Sequence, residues 1–263
     1  MKIALGVEYN GAKYHGWQRQ ANALSVQACV ETALSKVADE PIVVACAGRT
    51  DSGVHATGQV VHFECTKSRA LKAWTLGTNR YLPSDIRVHW AQPVEEAFHA
   101  RFTATARRYR YIIYNRPQAS ALLSQGLTHC QRSLDVGAMQ EAARYFIGEK
   151  DFGAIQAAAC QSEHSIRNIH FLTVHKVLDY VVVDIQANAF LLHMVRNTVG
   201  ILQHIGLGLA EPSWAKHLLD ERDRTRAPAT APAQGLYLVR VAYPSRYSLP
   251  QHEIGPLFLN KRL

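Results

Sequence analysis

Arg49, Thr50, Asp51 and His55 stand within seven positions of one another, among Gly48, Gly53 and Gly58. A carboxylate presented beside a guanidinium and an imidazole is the equipment of a nucleophile or general base. Apolar, β-branched runs flank the group, Pro41-Ile-Val-Val-Ala-Cys-Ala47 before it and Gln59-Val-Val-His-Phe-Glu-Cys65 after it. That pattern predicts strand, loop and strand, with the three glycines serving the turns of the loop. Asp near glycine is also ordinary turn chemistry, in which Asp51 closes a turn and Arg49 is its surface partner.

Other side chains that could act lie before and after this loop. Tyr14-His-Gly-Trp-Gln-Arg-Gln20 offers Trp17 and Arg19 for stacking on bases and holding phosphates, or else sends Trp17 into the core. Phe98 to Tyr114 sets four arginines among aromatics, and its latter part alternates as a strand. Period-two geometry puts Arg108 and Arg110 on one side and Tyr109 and Tyr111 on the other, so one side is cationic and the other aromatic. With Arg107, these arginines are candidates for nucleic-acid contacts; the competing reading is a solvated edge strand whose tyrosines pack inward. Phe190 to Ile205 is a mostly apolar helix with one cation, Arg196. Burying that charge alone is costly. Asp51 is one candidate partner; a surface position or a phosphate is the other.

Regular elements must position these groups. Ile3–Tyr9 reads as a strand, Ser25 caps a helix running to Val37, Leu71–Leu82 reads as a second helix ended by Pro83, and Ile86–Val94 as a strand. With the strands around Asp51 the order is βαββαβ, the ferredoxin-like arrangement shared with RNA-recognition modules. Leu134–Ile147 reads as a helix, Ile166–Val177 and Tyr180–Ala187 as paired strands, Trp214–Leu219 as a short helix and Leu236–Tyr243 as a last strand. The expected fold is α+β: two ferredoxin-like/RRM-like α/β halves, 1–105 and 106–263, forming a large mainly antiparallel sheet with helices packed on it and a central basic cleft. The alanine-rich stretch from Asp151 to Ser165 has no assigned element.

The chain has 263 residues, 29 Lys+Arg against 21 Asp+Glu and a formal charge of +8, a balance that favours an anionic partner such as nucleic acid. Its five cysteines show no CxxC spacing, which argues for reduced core thiols rather than a zinc site. The N-terminal apolar run is too short for a signal peptide and no segment approaches a membrane span, so a cytoplasmic protein without membrane partners is expected.

Four motifs in order carry a resemblance across nearly the whole chain: Tyr14-His-Gly-Trp-Gln-Arg-Gln20, Ala47-Gly-Arg-Thr-Asp-Ser-Gly-Val-His-Ala56 with Gly58-Gln-Val-Val-His-Phe63, Ala106-Arg-Arg-Tyr-Arg-Tyr-Ile-Ile-Tyr114 and His193-Met-Val-Arg-Asn-Thr-Val-Gly200. The sequence resembles the TruA family of tRNA pseudouridine synthases. The resemblance implies an isomerase that breaks the uridine N-glycosidic bond at tRNA positions 38, 39 and 40 and rejoins the base through carbon. It implies Asp51 as nucleophile, Tyr109 against the target base, Arg196 paired with Asp51 and Arg49 in the place of the flipped nucleotide. It also implies a homodimer working without metal or organic cofactor on the tRNA anticodon stem-loop. Gly148-Glu-Lys-Asp-Phe-Gly-Ala-Ile155 departs from the family at Lys150, Gly153 and Ile155.

The residues suit that chemistry. An aspartate, with an ordinary pKa of about 3.9, is ionised at neutral pH, and a nearby arginine would hold it so. Attack at C1′ or C6, and removal of a sugar proton, are all open to such a carboxylate. Flipping a base costs a few kcal/mol, which an arginine filling the gap would partly offset. Two other classes use the same parts: an RNA-binding module without catalysis, and an N-glycosylase that releases free uracil.

Overall fold

Lys2–Tyr9 forms β1 and buries residues on both of its faces, Leu5 as well as Ala4, as a strand flanked on both sides must. It runs antiparallel to β3 (His55–Glu64) and to β4 (Ile86–Pro93), with Leu5 opposite Val61 on one side and Ala91 on the other. The computed structural model describes residues 1–157, 160, 162–251 and 254–259; positions 158, 159 and 161 of the alanine-rich stretch and 260–263 of the expected second half lie outside the described residues.

Helix α1 (Val26–Ala38) starts where expected, because the Ser25 hydroxyl accepts the Ala28 N–H at 3.3 Å. Val26, Val30, Ala33 and Leu34 form its buried stripe. The helix expected over 71–82 is helical but not uniform. A π-helical segment, Ala73–Gly77, leads into α2 (Thr78–Tyr81) and seats the fully buried Trp74 against Phe63, ring centroids 5.1 Å apart.

The strand expected over 41–47 shrinks to β2 (Ala45–Cys46), paired with β3. Side chains of α1 take its backbone donors instead: Ile42 N–H goes to Ser35 Oγ at 2.8 Å and Val44 N–H to Glu31 Oε1 at 3.0 Å. The order β4, β1, β3, β2 is the antiparallel arrangement that a βαββαβ chain predicts. β3 begins four residues before its expected start, so His55 and Gly58 belong to a strand and not to the loop. Gly58 is required there for a reason other than a turn: a Cβ would lie 2.2 Å from the carbonyl oxygen of Val239 in β10 (Leu236–Ala242).

That last strand corrects the expected partition. β10 pairs in parallel with β3, Tyr237 opposite His55 and Leu238 opposite Ala56. Among the described residues, the first compact unit therefore takes in Met1–Arg107 together with those from Tyr237 to Leu259; the second is Arg108–Leu236.

In the second unit β5 (Ala106–Asn115) pairs with β6 (Thr128–Cys130) in parallel and is followed by α3 (Val136–Ala143), capped by Asp135 and extended by a 3-10 turn to Phe146. β7 (Gly148–Asp151), β8 (Ile166–Val177) and β9 (Tyr180–Ala187) pair antiparallel in sequence, and β9 neighbours β5. Helices α4 (Met194–Gly206) and α5 (Trp214–Glu221) complete it. The short strands β6 and β7 have no counterpart in the expected elements. The fold class is α+β with mainly antiparallel pairing, as expected. Among the described residues no helix is long and apolar enough to cross a membrane, and the five cysteines form no disulfide.

His62 carries a pH consequence. Burial pushes its pKa down to about 4, helped by the neighbouring His99, while the ordinary value is 6.5. Between those values the unfolded chain takes up a proton that the folded His62 refuses, so stability should fall as pH drops through this window and be flat above it. Chemical denaturation from pH 4 to 7 checks this, and His62→Gln is expected to flatten the slope.

Candidate active site

The loop carrying Asp51 is held by main-chain and buried side-chain bonds on each side. At its start, Ala47 N–H donates to Val60 O at 2.8 Å, and Gln59 Nε2 donates to Gly48 O at 2.7 Å. Thr50, 7% exposed, shares a hydrogen bond of 2.8 Å with the Tyr9 hydroxyl. At its end, Val54 N–H reaches Asp51 O at 3.1 Å, closing a turn in which Gly53 has φ +78°. Asp51 itself is half-buried and Arg49 is exposed. A fixed, half-exposed carboxylate can meet a substrate without reorganising.

The Tyr14–Gln20 segment forms the wall behind this loop. Tyr14 O accepts from Gly53 N–H at 3.2 Å and from Ser52 Oγ at 3.3 Å, and Trp17 N–H donates to Thr50 O at 3.0 Å. The Tyr14 hydroxyl donates to Asp85 Oδ1 at 2.6 Å; burial first, and that carboxylate second, push its pKa up. Trp17 is 1% exposed, 5.8 Å from the Tyr9 ring. It takes the core alternative and does not stack on a base. Arg19 keeps an exposed side chain while pairing with Glu31 at 2.5 Å.

Two other expected substrate contacts bind groups of the protein itself, His55 from a buried position and Arg107 from a half-buried one. His55 is 2% exposed, accepts the Gly11 N–H on Nδ1 at 3.0 Å and stacks on Tyr237 at 4.7 Å. Arg107 turns its guanidinium onto main-chain oxygens: Ala47 at 2.9 and 3.2 Å, Ala104 at 3.2 Å and Arg101 at 2.6 Å. Arg107 ties the start of the loop to the turn before β5, and His55 ties the chain after it to Gly11.

In the second unit, Arg108 and Arg110 do share one side of β5, as alternation requires, and converge on Asp184 of β9. Arg108 binds it through two nitrogens at 2.6 and 2.7 Å and Arg110 through one at 2.8 Å. Arg110 is 7% exposed. It satisfies a buried carboxylate and is no surface phosphate ligand. Arg108 remains partly exposed, over the Phe171 ring at 5.0 Å. Tyr109 is buried, edge-on to Phe190 at 5.1 Å.

Arg196 is half-buried on the first turn of α4. Its Nε donates to Ala231 O at 2.8 Å and its own carbonyl accepts from Ala231 N–H at 3.2 Å. Its charge reaches Tyr111, whose hydroxyl burial pushes up and whose hydrogen bond to Thr128, with Arg196, pulls down. The departing stretch Lys150–Ile155 supports the same helix: Ile155 is fully buried and its carbonyl accepts from Asn197 Nδ2 at 2.7 Å. Asp151 accepts from Ser165 and from Gly153 N–H, and these bonds hold its pKa low.

Sequence reasoning named Thr50 without a bracing role and missed Tyr9 and Gln59, which hold the loop with it. Thr50 and Gln59 were already inside the motif; what marks them is burial of a polar side chain.

A braced carboxylate between antiparallel strands, in a chain with a formal charge of +8, fits an enzyme acting on a polyanion. The profile of the tRNA pseudouridine synthase family matches residues 6–103 and 142–244. The chain is 58% identical over 259 residues to tRNA pseudouridine synthase A of Pectobacterium atrosepticum, covering 98% of this chain and 92% of that one. It is 57% identical over 263 residues to tRNA pseudouridine synthase A of Actinobacillus succinogenes, covering 100% of both. The chain belongs to the tRNA pseudouridine synthase family.

Proposed function

We propose that this protein isomerises uridine to pseudouridine at positions 38, 39 and 40 of the tRNA anticodon stem-loop. The observation that carries the reading is Asp51, half-buried on a loop fixed at both ends, in a member of this family. The carboxylate serves as nucleophile. The bond from N1 to C1′ breaks, a bond from C5 to C1′ forms, C5 loses its proton and N1 gains one, so the product keeps the mass of the substrate. Tyr109 and Arg196 are assigned with Asp51 to this reaction, and Arg49 to the gap that the flipped base leaves. The protein works in the cytoplasm as a homodimer, without metal or organic cofactor.

The test incubates the protein with unmodified anticodon stem-loop transcripts, maps pseudouridine by carbodiimide and primer extension, and assays free uracil. Pseudouridine at positions 38 to 40 without free base is expected. Free uracil with abasic sites would point to an N-glycosylase, and tight binding with neither product to a binding module.

Arg49 gives a separate expectation. Arg49→Ala should slow modification of a paired stem uridine about tenfold more than that of an unstacked loop uridine, since only the first must be extracted from a stack. Single-turnover rates on the two substrates check it; equal slowing would remove the gap-filling role.

A further inference from the structure

The segment between β4 and β5 is tied down along its length, yet it turns one large apolar ring outward. Phe98 is fully buried against Tyr243 and Tyr247, with centroids 5.2 and 5.1 Å away. Ala100 N–H donates to His62 Nδ1 at 3.1 Å, and Ala100 O accepts from the Tyr243 hydroxyl at 2.7 Å. His99 O accepts from Thr103 Oγ1 at 2.6 Å and from Thr103 N–H at 3.0 Å. The His99 ring in turn accepts the N–H groups of Arg101 and Phe102 on Nδ1, at 3.1 and 3.3 Å. At the tip of this braced turn Phe102 is 75% exposed. The Arg101 guanidinium lies 5.5 Å from its ring centroid and the His99 ring 4.3 Å away.

A single exposed apolar side chain is normal on a surface. This one differs in being held rigidly and in its neighbours. The Arg107 guanidinium that grips Arg101 O at 2.6 Å also grips Ala47 O at 2.9 Å, joining the turn to the start of the Asp51 loop. The Cys46 thiol feels the charges of both Arg49 and Arg101. An exposed aromatic ring beside a guanidinium, on a turn fixed before its ligand arrives, is how proteins seat an unpaired base with little ordering cost.

We propose that Phe102 and Arg101 form an RNA platform beside the Asp51 loop, where an unpaired base of the substrate stacks on the Phe102 ring and its phosphate meets Arg101. The proposal rests on the reading of the substrate as tRNA, and places on this turn a nucleotide other than the one that reacts.

Fluorescence anisotropy with a labelled anticodon stem-loop tests it. Phe102→Ala is expected to raise Kd about 10- to 100-fold with an unchanged salt slope, and Phe102→Trp to stay within about threefold of wild type. Arg101→Gln is expected to reduce the slope of log K against log salt by about 0.7. Unchanged thermal melting of each variant accompanies these results if the ring serves RNA and not the core. Equal affinity of Phe102→Ala and wild type would overturn the proposal. So would a changed oligomeric state of Phe102→Ala by light scattering, which would assign the ring to a contact between copies. Loss of affinity in Phe102→Ala, with no pseudouridine made by the wild type, would keep the platform and remove the proposed reaction.

Discussion

Asp51→Asn is expected to lower pseudouridine formation at least about 10³-fold while changing tRNA affinity less than about threefold. The amide is the same size as the carboxylate. The loop is fixed by groups other than the Asp51 carboxylate: the bond from Val54 N–H to Asp51 O, the carbonyls of Tyr14 and Thr50, and Gln59 on Gly48. Removing the charge should therefore remove reactivity and not the fold. Single-turnover rates under saturating enzyme, with binding measured separately, check this. A variant retaining more than a tenth of wild-type rate would end the assignment of Asp51 as nucleophile.

The second large effect is expected from a residue with no side chain. In Gly11→Ala the new Cβ would lie 1.9 Å from the Val54 carbonyl oxygen and 2.6 Å from its carbon, so backbone meets backbone and no rotamer relieves it. Gly11 N–H also donates to His55 Nδ1 at 3.0 Å, so displacement passes to Val54 and His55 and thence to the turn that ends at Asp51. Overpacking of this kind costs about 1–3 kcal/mol, which corresponds to roughly 3–10 °C in Tm for a chain of this size. A displacement of about 1 Å in the Asp51 carboxylate would, on the proposed role, cost about 10²-fold in rate. Gly77→Ala is the control, because its Cβ would rest 3.6 Å from Val37, in ordinary contact. It is expected to change neither quantity, and similar losses in both variants would show that the effect does not come from the Gly11 contact with Val54.

Much of this was legible in the residues. The strands over Ile166–Val177 and Tyr180–Ala187 fall where the pattern put them, because the first alternates between packed and exposed faces, the second is a β-branched run buried on both, and a short turn joins them. Ser25 was readable as a cap for the same local reason. What could not be read depends on partners far away in sequence. Gly58 looks like a turn residue until β10 arrives beside it. Arg110 looks like a phosphate ligand until Asp184, 74 residues on, is seen to hold it. Pro41–Ala47 has strand composition, but α1 supplies the acceptors its backbone needs. At the site, charge pointed to Asp51 and Arg49, whereas Tyr9, Thr50 and Gln59 are ordinary polar residues whose importance comes from being buried.

The return of the final strand has a consequence for how the protein is made. β3, which leads out of the Asp51 loop, gains its parallel neighbour only when Tyr237 and Leu238 have been synthesised, and the His55 ring waits for Tyr237 to stack on it. A ribosome emits the first 107 residues long before those, at about 5–20 residues per second. The nascent first unit therefore stays incomplete for roughly 6 to 26 seconds. Until residues 237 and 238 are made, the edge of β3 that receives β10 lacks that partner, so the strand leading out of the Asp51 loop is finished by chain synthesised about 180 residues after it.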